Sequence, residues 1–321
     1  MTDSPYRILS FDGGGVRTIL SAQILAILAE EVDFLSKVDL FAGTSGGAMV
    51  AMCLASGQPP KKVLEFYENP DDYFPRYSKM SLFYFHCKYS NEAGKKRLEN
   101  QLSHGDILHS DPLDSLPKHI MVTSCKLSNG KGHWVPCIFS NINSTEKPPS
   151  LFDAVMRSSA APTYFPSYQG YIDGAVASQN PSMAALSLAC DPSGDTKKEL
   201  SNIRLLSLGS GYVPRTFATD ENGHTNAGPL SWLNPFSLGF TTTPSIPLFS
   251  LVMDTTVCLV EQNCKRFLGD NFLRFDPLME ERIDLDATEK VHYLLEYAKG
   301  FPKKHPKVWE ELITWTKENF T

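Results

Sequence analysis

Through its first 55 residues the chain alternates short apolar runs with longer stretches of helical spacing. Tyr6 to Phe11 is β-prone and halts at Asp12-Gly13-Gly14-Gly15, which reads as a strand ending in a backbone-exposing turn. From Thr18 to Leu35, the apolar residues Ile19, Leu20, Ile24, Ile27, Leu28 and Val32 recur at spacings suited to one buried helical face. Val38 to Ala42 is a second short apolar run, ending in Gly43-Thr44-Ser45-Gly46-Gly47, and Ala48 to Ala55 resumes with helix formers. Strand, helix, strand, helix predicts an α/β fold with a parallel sheet and right-handed crossovers. Such sheets place their sites in the loops beyond the carboxyl ends of the strands, where both glycine-rich segments fall.

Further along, Pro59-Pro60 opens a helix to about Tyr67, residues 69–90 are rich in aromatics, and residues 92–102 turn helical again. Ile120 to Cys125 and Trp134 to Phe139 are β-prone and joined by a turn-rich stretch, a pattern that predicts a hairpin. Ser150 is placed to cap a helix over Leu151 to Arg157, which Ala160-Ala161-Pro162 ends. A short strand at Tyr171-Ile172 delivers Asp173-Gly174; Pro181 opens a helix to Ala189, and Ile203 to Leu208 is another strand. Residues 212–230 have the composition of a mobile loop, and Leu285 to Tyr297 and Pro306 to Phe320 are amphipathic helices. No internal linker divides the chain, so residues 1–321 are expected to form one domain.

With 42% hydrophobic and 21% charged residues, the chain has apolar surface enough to offset its entropy in one large core. A net charge of -6 argues against nucleic acid as a substrate, because that binding draws on clustered cations. The seven cysteines are odd in number and show no Cys-x-x-Cys spacing, which predicts free thiols in a reducing, cytoplasmic setting. The eight histidines form no ligand pair on a predicted helix, so neither a metal nor a cofactor is expected. No long uncharged apolar run appears, and residues 1–15 lack a basic start followed by an apolar stretch; neither a membrane span nor a secretory signal is expected.

Gly43-Thr44-Ser45-Gly46-Gly47 fits Gly-x-Ser-x-Gly, in which a serine on a sharp strand-to-helix turn needs small neighbours and exposes its hydroxyl. Serine is a weak nucleophile until a base takes its proton and donors hold the oxyanion. Gly13-Gly14-Gly15, between a strand and a helix, can aim amides into a cavity that the helix N-terminus also favours for negative charge. The segment lacks both Gly-x-Gly-x-x-Gly spacing and the Lys-Ser/Thr of a phosphate loop. For the base, the residues alone leave a carboxylate or a histidine open. Asp173 sits in an Asp-Gly turn after a short strand; His292 lies at an ordinary helix position. Ser45 follows only the second strand, earlier than in the standard hydrolase order.

Taken in order, Asp12-Gly13-Gly14-Gly15-Val16-Arg17, Gly43 to Gly47, Arg157-Ser158-Ser159-Ala160-Ala161-Pro162-Thr163-Tyr164-Phe165-Pro166 and Asp173-Gly174-Ala175 resemble the signatures of patatin-like phospholipases. The likeness continues through Asn180-Pro181 and Ser207 to Gly211, a motif-bearing core of about residues 6–211. It implies a three-layer α/β/α sandwich with a mostly parallel central sheet. It also implies a serine-aspartate dyad of Ser45 and Asp173, with Gly13, Gly14, Gly15 and Arg17 in the oxyanion loop. Thr18 departs from the pattern, since many members carry a further glycine there. The implied activity is hydrolysis of carboxylic esters in phospholipids or other lipids through an acyl-serine, at a membrane surface, with a protein or nucleotide activator in some members. An acyltransferase or small-ester hydrolase with the same dyad, and a non-catalytic membrane-binding signalling module, are the alternatives.

Two segments are candidates for lipid contact. Leu230 to Met253 carries Trp232, Phe236, Leu238, Phe240, Ile246, Leu248, Phe249 and Leu251 with scarcely a charge; plain core is one reading, but its prolines favour a loop followed by a helix, serving as lid or channel wall within residues 212–321. Tyr73, Phe74, Tyr77, Phe83, Tyr84 and Phe85, interleaved with Arg76, Lys79 and Lys88, suit either an anionic membrane surface or an aromatic core.

Overall fold

A computed structural model describes residues 4–67, 87–92, 94–142, 147–214, 219–233 and 247–321. The first four elements are β1 (Tyr6–Phe11), α1 (Thr18–Glu31), β2 (Leu40–Gly43) and α2 (Gly46–Ala55). Then come α3 (Pro60–Glu65), α4 (Lys95–Leu102), β3 (His119–Lys126), β4 (Val135–Ser140), α5 (Leu151–Ser159), β5 (Tyr171–Asp173), α6 (Ala175–Ser178), α7 (Ser182–Ala189) and β6 (Ile203–Leu208). The chain closes with α8 (Pro229–Trp232), α9 (Pro247–Leu268), β7 (Phe272–Phe275), α10 (Val291–Lys304) and α11 (Pro306–Phe320).

These strands form one sheet in the order β4-β3-β2-β1-β6-β7, with β5 also paired to β3. Neighbours from β3 across to β7 are parallel, whereas β4 and β5 run antiparallel to β3. Because side chains alternate across a strand, each central strand supplies both faces. Leu9, Phe11, Phe41, Ile120, Val122, Leu206 and Leu208 pack under α1, α2, α5, α10 and α11. Ile8, Leu40, Ala42, Met121, Ile203 and Leu205 pack on the other side, under α7 and the last turns of α9. The result is the expected α/β/α sandwich.

Local signals hold where short-range chemistry decides them. The hairpin pairs β3 with β4 from Met121↔Ser140 to Lys126↔Val135, and the Ser150 side chain caps α5 by accepting from the Asp153 amide at 3.0 Å. Two boundaries and one strand depart from the periodicity. α1 stops at Glu31, four residues short of Leu35, because Val32 turns extended and carries Phe34 into the core, where its ring meets Phe320 at 5.8 Å. α10 starts at Val291, not Leu285, because the Leu285 carbonyl is engaged by the Val16 amide at 2.8 Å. β7 was not anticipated, its four residues being too few to announce a strand.

β7 carries Arg274, which reaches past β6 to Asp12 at the end of β1. Its Nη1 and Nη2 donate to the two Asp12 oxygens at 2.8 and 2.6 Å, and further bonds go to Ser207 Oγ at 2.9 Å and Asp276 Oδ2 at 2.8 Å. Burial opposes the guanidinium charge, yet Asp12 and Asp276 outweigh it through charge and hydrogen bonding and raise the Arg274 pKa. The close approach also explains Gly209, where a Cβ would lie 2.1 Å from the Asp276 carboxyl carbon. Arg274→Met should strand the buried Asp12 carboxylate and lower unfolding stability by about 3–5 kcal/mol in denaturant titrations, with part of the loss recovered on adding Asp12→Asn.

Candidate active site

β2 ends at Gly43 and α2 begins at Gly46, so the chain reverses within two residues. Ser45 takes φ 56° and ψ −125°, a left-handed conformation that a non-glycine residue adopts at a cost of about 1–3 kcal/mol. Its flanking positions must be bare: a Cβ on Gly43 would lie 2.3 Å from the Gly47 carbonyl oxygen, and one on Gly47 2.5 Å from that of Phe11. The Ser45 amide donates to Ser158 Oγ at 2.8 Å, which pins the turn to α5.

Asp173 arrives from β5. β4 occupies one edge of β3 from Met121 to Lys126, so β2 and β5 share the other. β2 pairs as far as Gly43↔Val122, and β5 enters from the opposite direction, down to Ser124↔Asp173. Continued by two residues, β2 would place Ser45 at the rung that Asp173 occupies. The two strands therefore meet end to end, and Ser45 Oγ donates to Asp173 Oδ2 at 2.6 Å. The other oxygen, Oδ1, accepts the Ala175 amide at 2.8 Å, which fixes the carboxyl plane. Asp173 is only 3% exposed. Burial pushes its pKa up to about 6, against the hydrogen bonds from Ser45 and the Ala175 amide. His292 is exposed on α10.

The glycine loop leaves β1 directly beside this pair, a Cβ on Gly13 lying 3.3 Å from that of Ser45. Gly13 donates to the Gln179 carbonyl at 3.0 Å, Val16 to that of Leu285 at 2.8 Å and Arg17 to that of Gly14 at 3.1 Å. The amides of Gly14, Gly15 and Gly46 meet no protein acceptor among the described residues. Gly15 has φ +57°, and a Cβ there would lie 2.2 Å from the Leu285 carbonyl oxygen, so the position accepts only glycine. Thr18, the departure from the resembled pattern, donates from Oγ1 to the Gly15 carbonyl at 2.8 Å and meets the Tyr67 hydroxyl. Arg17 Nη1 donates to the Gly211 carbonyl at 3.4 Å, tying the loop to the segment after β6.

An apolar cavity of about 140 Å³ opens beside Ser45 and Gly15, walled by Met49, Phe66, Leu98, Val155, Phe165 and Leu285. No described residue of the 230–253 segment lines it, and α9 packs in the opposite helical layer. The expectation of a lid or channel wall there therefore finds no support in its described part; residues 234–246 lie outside the described residues. The aromatic and basic residues 73–85 also lie outside them, while Lys88 pairs with Asp286. The sequence reading missed Arg274, Gln179 and Leu285. A lone arginine among the apolar residues of Phe272-Leu273-Arg274-Phe275 was the available signal for the first.

A family model described as patatin-like phospholipase matches residues 9–186. The protein named CotR of Bacillus subtilis (strain 168) is 30% identical over 294 residues, covering 85% of this chain and 87% of its own. A cGAMP-activated phospholipase of Escherichia coli (strain TW11681) is 28% identical over 224 residues, 64% of this chain and 62% of that relative. Among solved structures, VipD from Legionella pneumophila aligns over 99% of this chain and 80% of its own at TM-score 0.42 and 11% identity.

The raised Asp173 pKa has a thermodynamic consequence. Ionising this group costs more in the folded than in the unfolded chain, so the destabilisation is fully present above about pH 6 and vanishes as pH falls below about 4. Asp173→Asn keeps the side-chain shape without the charge, its oxygen still accepting the Ala175 amide and its nitrogen donating to Ser45 Oγ. It should exceed the wild type in unfolding free energy by about 2–3 kcal/mol near pH 8 and lose that advantage near pH 4, in paired denaturation curves.

Proposed function

Since this chain belongs to the patatin-like phospholipase family, we propose that Ser45 and Asp173 act as a catalytic dyad that hydrolyses carboxylic esters of lipids, phospholipids foremost. The family supports a lipid hydrolase; the observation that carries the finer reading is the 2.6 Å bond from a strained, cavity-facing serine hydroxyl to a buried carboxylate.

In the proposed reaction the acyl chain lies against Met49, Leu98 and Val155, where each buried methylene contributes about 0.8 kcal/mol. Ser45 Oγ attacks the ester carbonyl as its proton passes to Asp173 Oδ2. The Gly14 and Gly15 amides take the oxyanion, aided by the positive end of α2 at Gly46. Collapse of the adduct breaks the ester bond, and the departing alcohol takes the proton back from Asp173. Water then attacks the acyl-serine with Asp173 again as base, releasing the fatty acid. A pKa near 6 suits both halves: the group is ionised at neutral pH yet remains basic enough to carry a proton.

Because a lipid substrate resides in an interface, the reading places catalysis peripherally at a lipid surface; among the described residues no helix is long and apolar enough to cross a membrane. A nucleotide or protein activator belongs to the same proposal, on the strength of the relative named for activation by cGAMP.

Ser45→Ala and Asp173→Asn should each lower fatty-acid release from mixed phospholipid micelles by on the order of a thousandfold or more. A fluorophosphonate should label the wild type and spare Ser45→Ala, and a fully active Ser45→Ala enzyme would refute the dyad. Below about pH 6 the wild-type kcat/KM should fall about tenfold per unit as Asp173 protonates, which a pH-rate profile on a neutral ester would read directly.

A further inference from the structure

The peptide between Gly13 and Gly14 is held on three sides. Its carbonyl oxygen accepts from Gln179 Nε2 at 2.6 Å and from Ser210 Oγ at 2.9 Å, so both lone pairs are engaged. The Gly13 amide, one bond earlier, donates to the Gln179 carbonyl at 3.0 Å. No peptide bond among the described residues is cis, and a planar trans peptide points its N–H opposite to its C=O. Fixing the Gly13 carbonyl therefore fixes the direction of the Gly14 N–H, which meets no protein acceptor among the described residues. Glycines on both sides of a peptide would otherwise let it turn over readily, presenting an oxygen where the oxyanion needs a donor.

We infer that Gln179 and Ser210 are positioning residues that hold the Gly14 amide in its donating orientation; the inference rests on the hydrolase reading above. Both residues are placed by elements already anchored. Gln179 follows α6, the turn of helix that begins just after Asp173, so one short segment carries the base and half of the clamp. Ser210 stands between two fixed amides: Gly209 donates to the Phe275 carbonyl at 2.8 Å, and Gly211 to Asp276 Oδ1 at 2.9 Å. Asp276 is in turn bonded to Arg274. The buried ion-pair network thus ends at the hydroxyl that steadies the loop. Turning the peptide over would break both carbonyl bonds and face the Gly14 N–H toward two side-chain donors.

The test uses the full chain and three variants. Gln179→Met removes the side-chain donor at nearly constant volume and keeps the backbone acceptor for Gly13. Ser210→Ala removes one buried oxygen. In both, kcat on a p-nitrophenyl ester should fall by on the order of ten- to a hundredfold while KM stays within about threefold, as expected for an interaction made in the transition state. Affinity for an acyl trifluoromethyl ketone, which forms a tetrahedral adduct, should fall in step with kcat/KM; affinity for the corresponding unreactive ether should not move. Gln179→Glu adds a signature that a packing role would lack. A protonated glutamic acid donates to the Gly13 carbonyl and an ionised one repels it, so its kcat/KM relative to the wild type should climb by about tenfold or more from about pH 8 to about pH 5.5.

Variants that fold, keep kcat and ketone affinity within twofold of the wild type, and show a flat Gln179→Glu ratio would overturn the clamp while leaving the dyad intact. A fully active Ser45→Ala enzyme would remove both proposals together.

Discussion

One edge of β3 cannot pair with two strands at the same rung, and much of the site's geometry follows from how that edge is divided. β4 fills the far edge from Met121 to Lys126, so β2 and β5 must abut on the near one. β2 leaves the sheet at Thr44, and the Thr44 and Thr123 hydroxyls, 2.7 Å apart, mark the level at which it departs. β5 takes the next rung with Asp173. The sharp turn that bares the Ser45 hydroxyl is thus the same event that vacates the position for the carboxylate. Gly174 completes the fit, since a Cβ there would lie 2.3 Å from the Thr123 carbonyl oxygen.

Two buried carboxylates in this architecture do different work. Asp12 faces a guanidinium in a two-bond fork, a geometry that binds the end of β1 to β7. Asp173 receives a hydroxyl and one backbone amide as hydrogen-bond donors among the described residues, and burial raises its pKa. Burial raises the pKa of Asp12 as well, so what sets Asp173 apart is its partner, a hydroxyl in place of a guanidinium, which suits proton transfer, while burying its charge works against stability. The strained backbone at Ser45 adds to the same debit. The dense apolar cluster beneath α1, α2 and α5 offsets both, by packing the elbow between two glycine contacts with no room to relax.

The glycine loop is bounded by residues from distant parts of the chain: Gln179 after α6, Ser210 after β6 and Leu285 before α10. Gln179 and Ser210 share the Gly13 carbonyl, Leu285 takes the Val16 amide, and the Gly14 and Gly15 amides meet no protein acceptor among the described residues. Leu285 also contributes to the cavity wall, so the C-terminal third shapes the site through this loop as well as through Arg274 and Asp276, with α10 and α11 covering the sheet behind it.

Local patterning was enough to read β1, β2, β6, the β3-β4 hairpin, the capped helix α5 and the elbow around Ser45, because each is decided by neighbours a few residues apart. The ordered motifs likewise pointed to Ser45, Asp173 and Gly13 to Gly15, which the fold brings side by side. The end of α1, the start of α10, the strand β7 and the partners of the loop depended on contacts that no window of sequence contains. The apolar 230–253 segment shows the same limit: hydrophobicity marks a surface that needs a neighbour, but which helical layer receives α9 was decided by the sheet. Above all, the meeting of Ser45 with a carboxylate 128 positions away is a matter of strand register. Register is set by which strands compete for an edge, and that competition exists only once the sheet has formed.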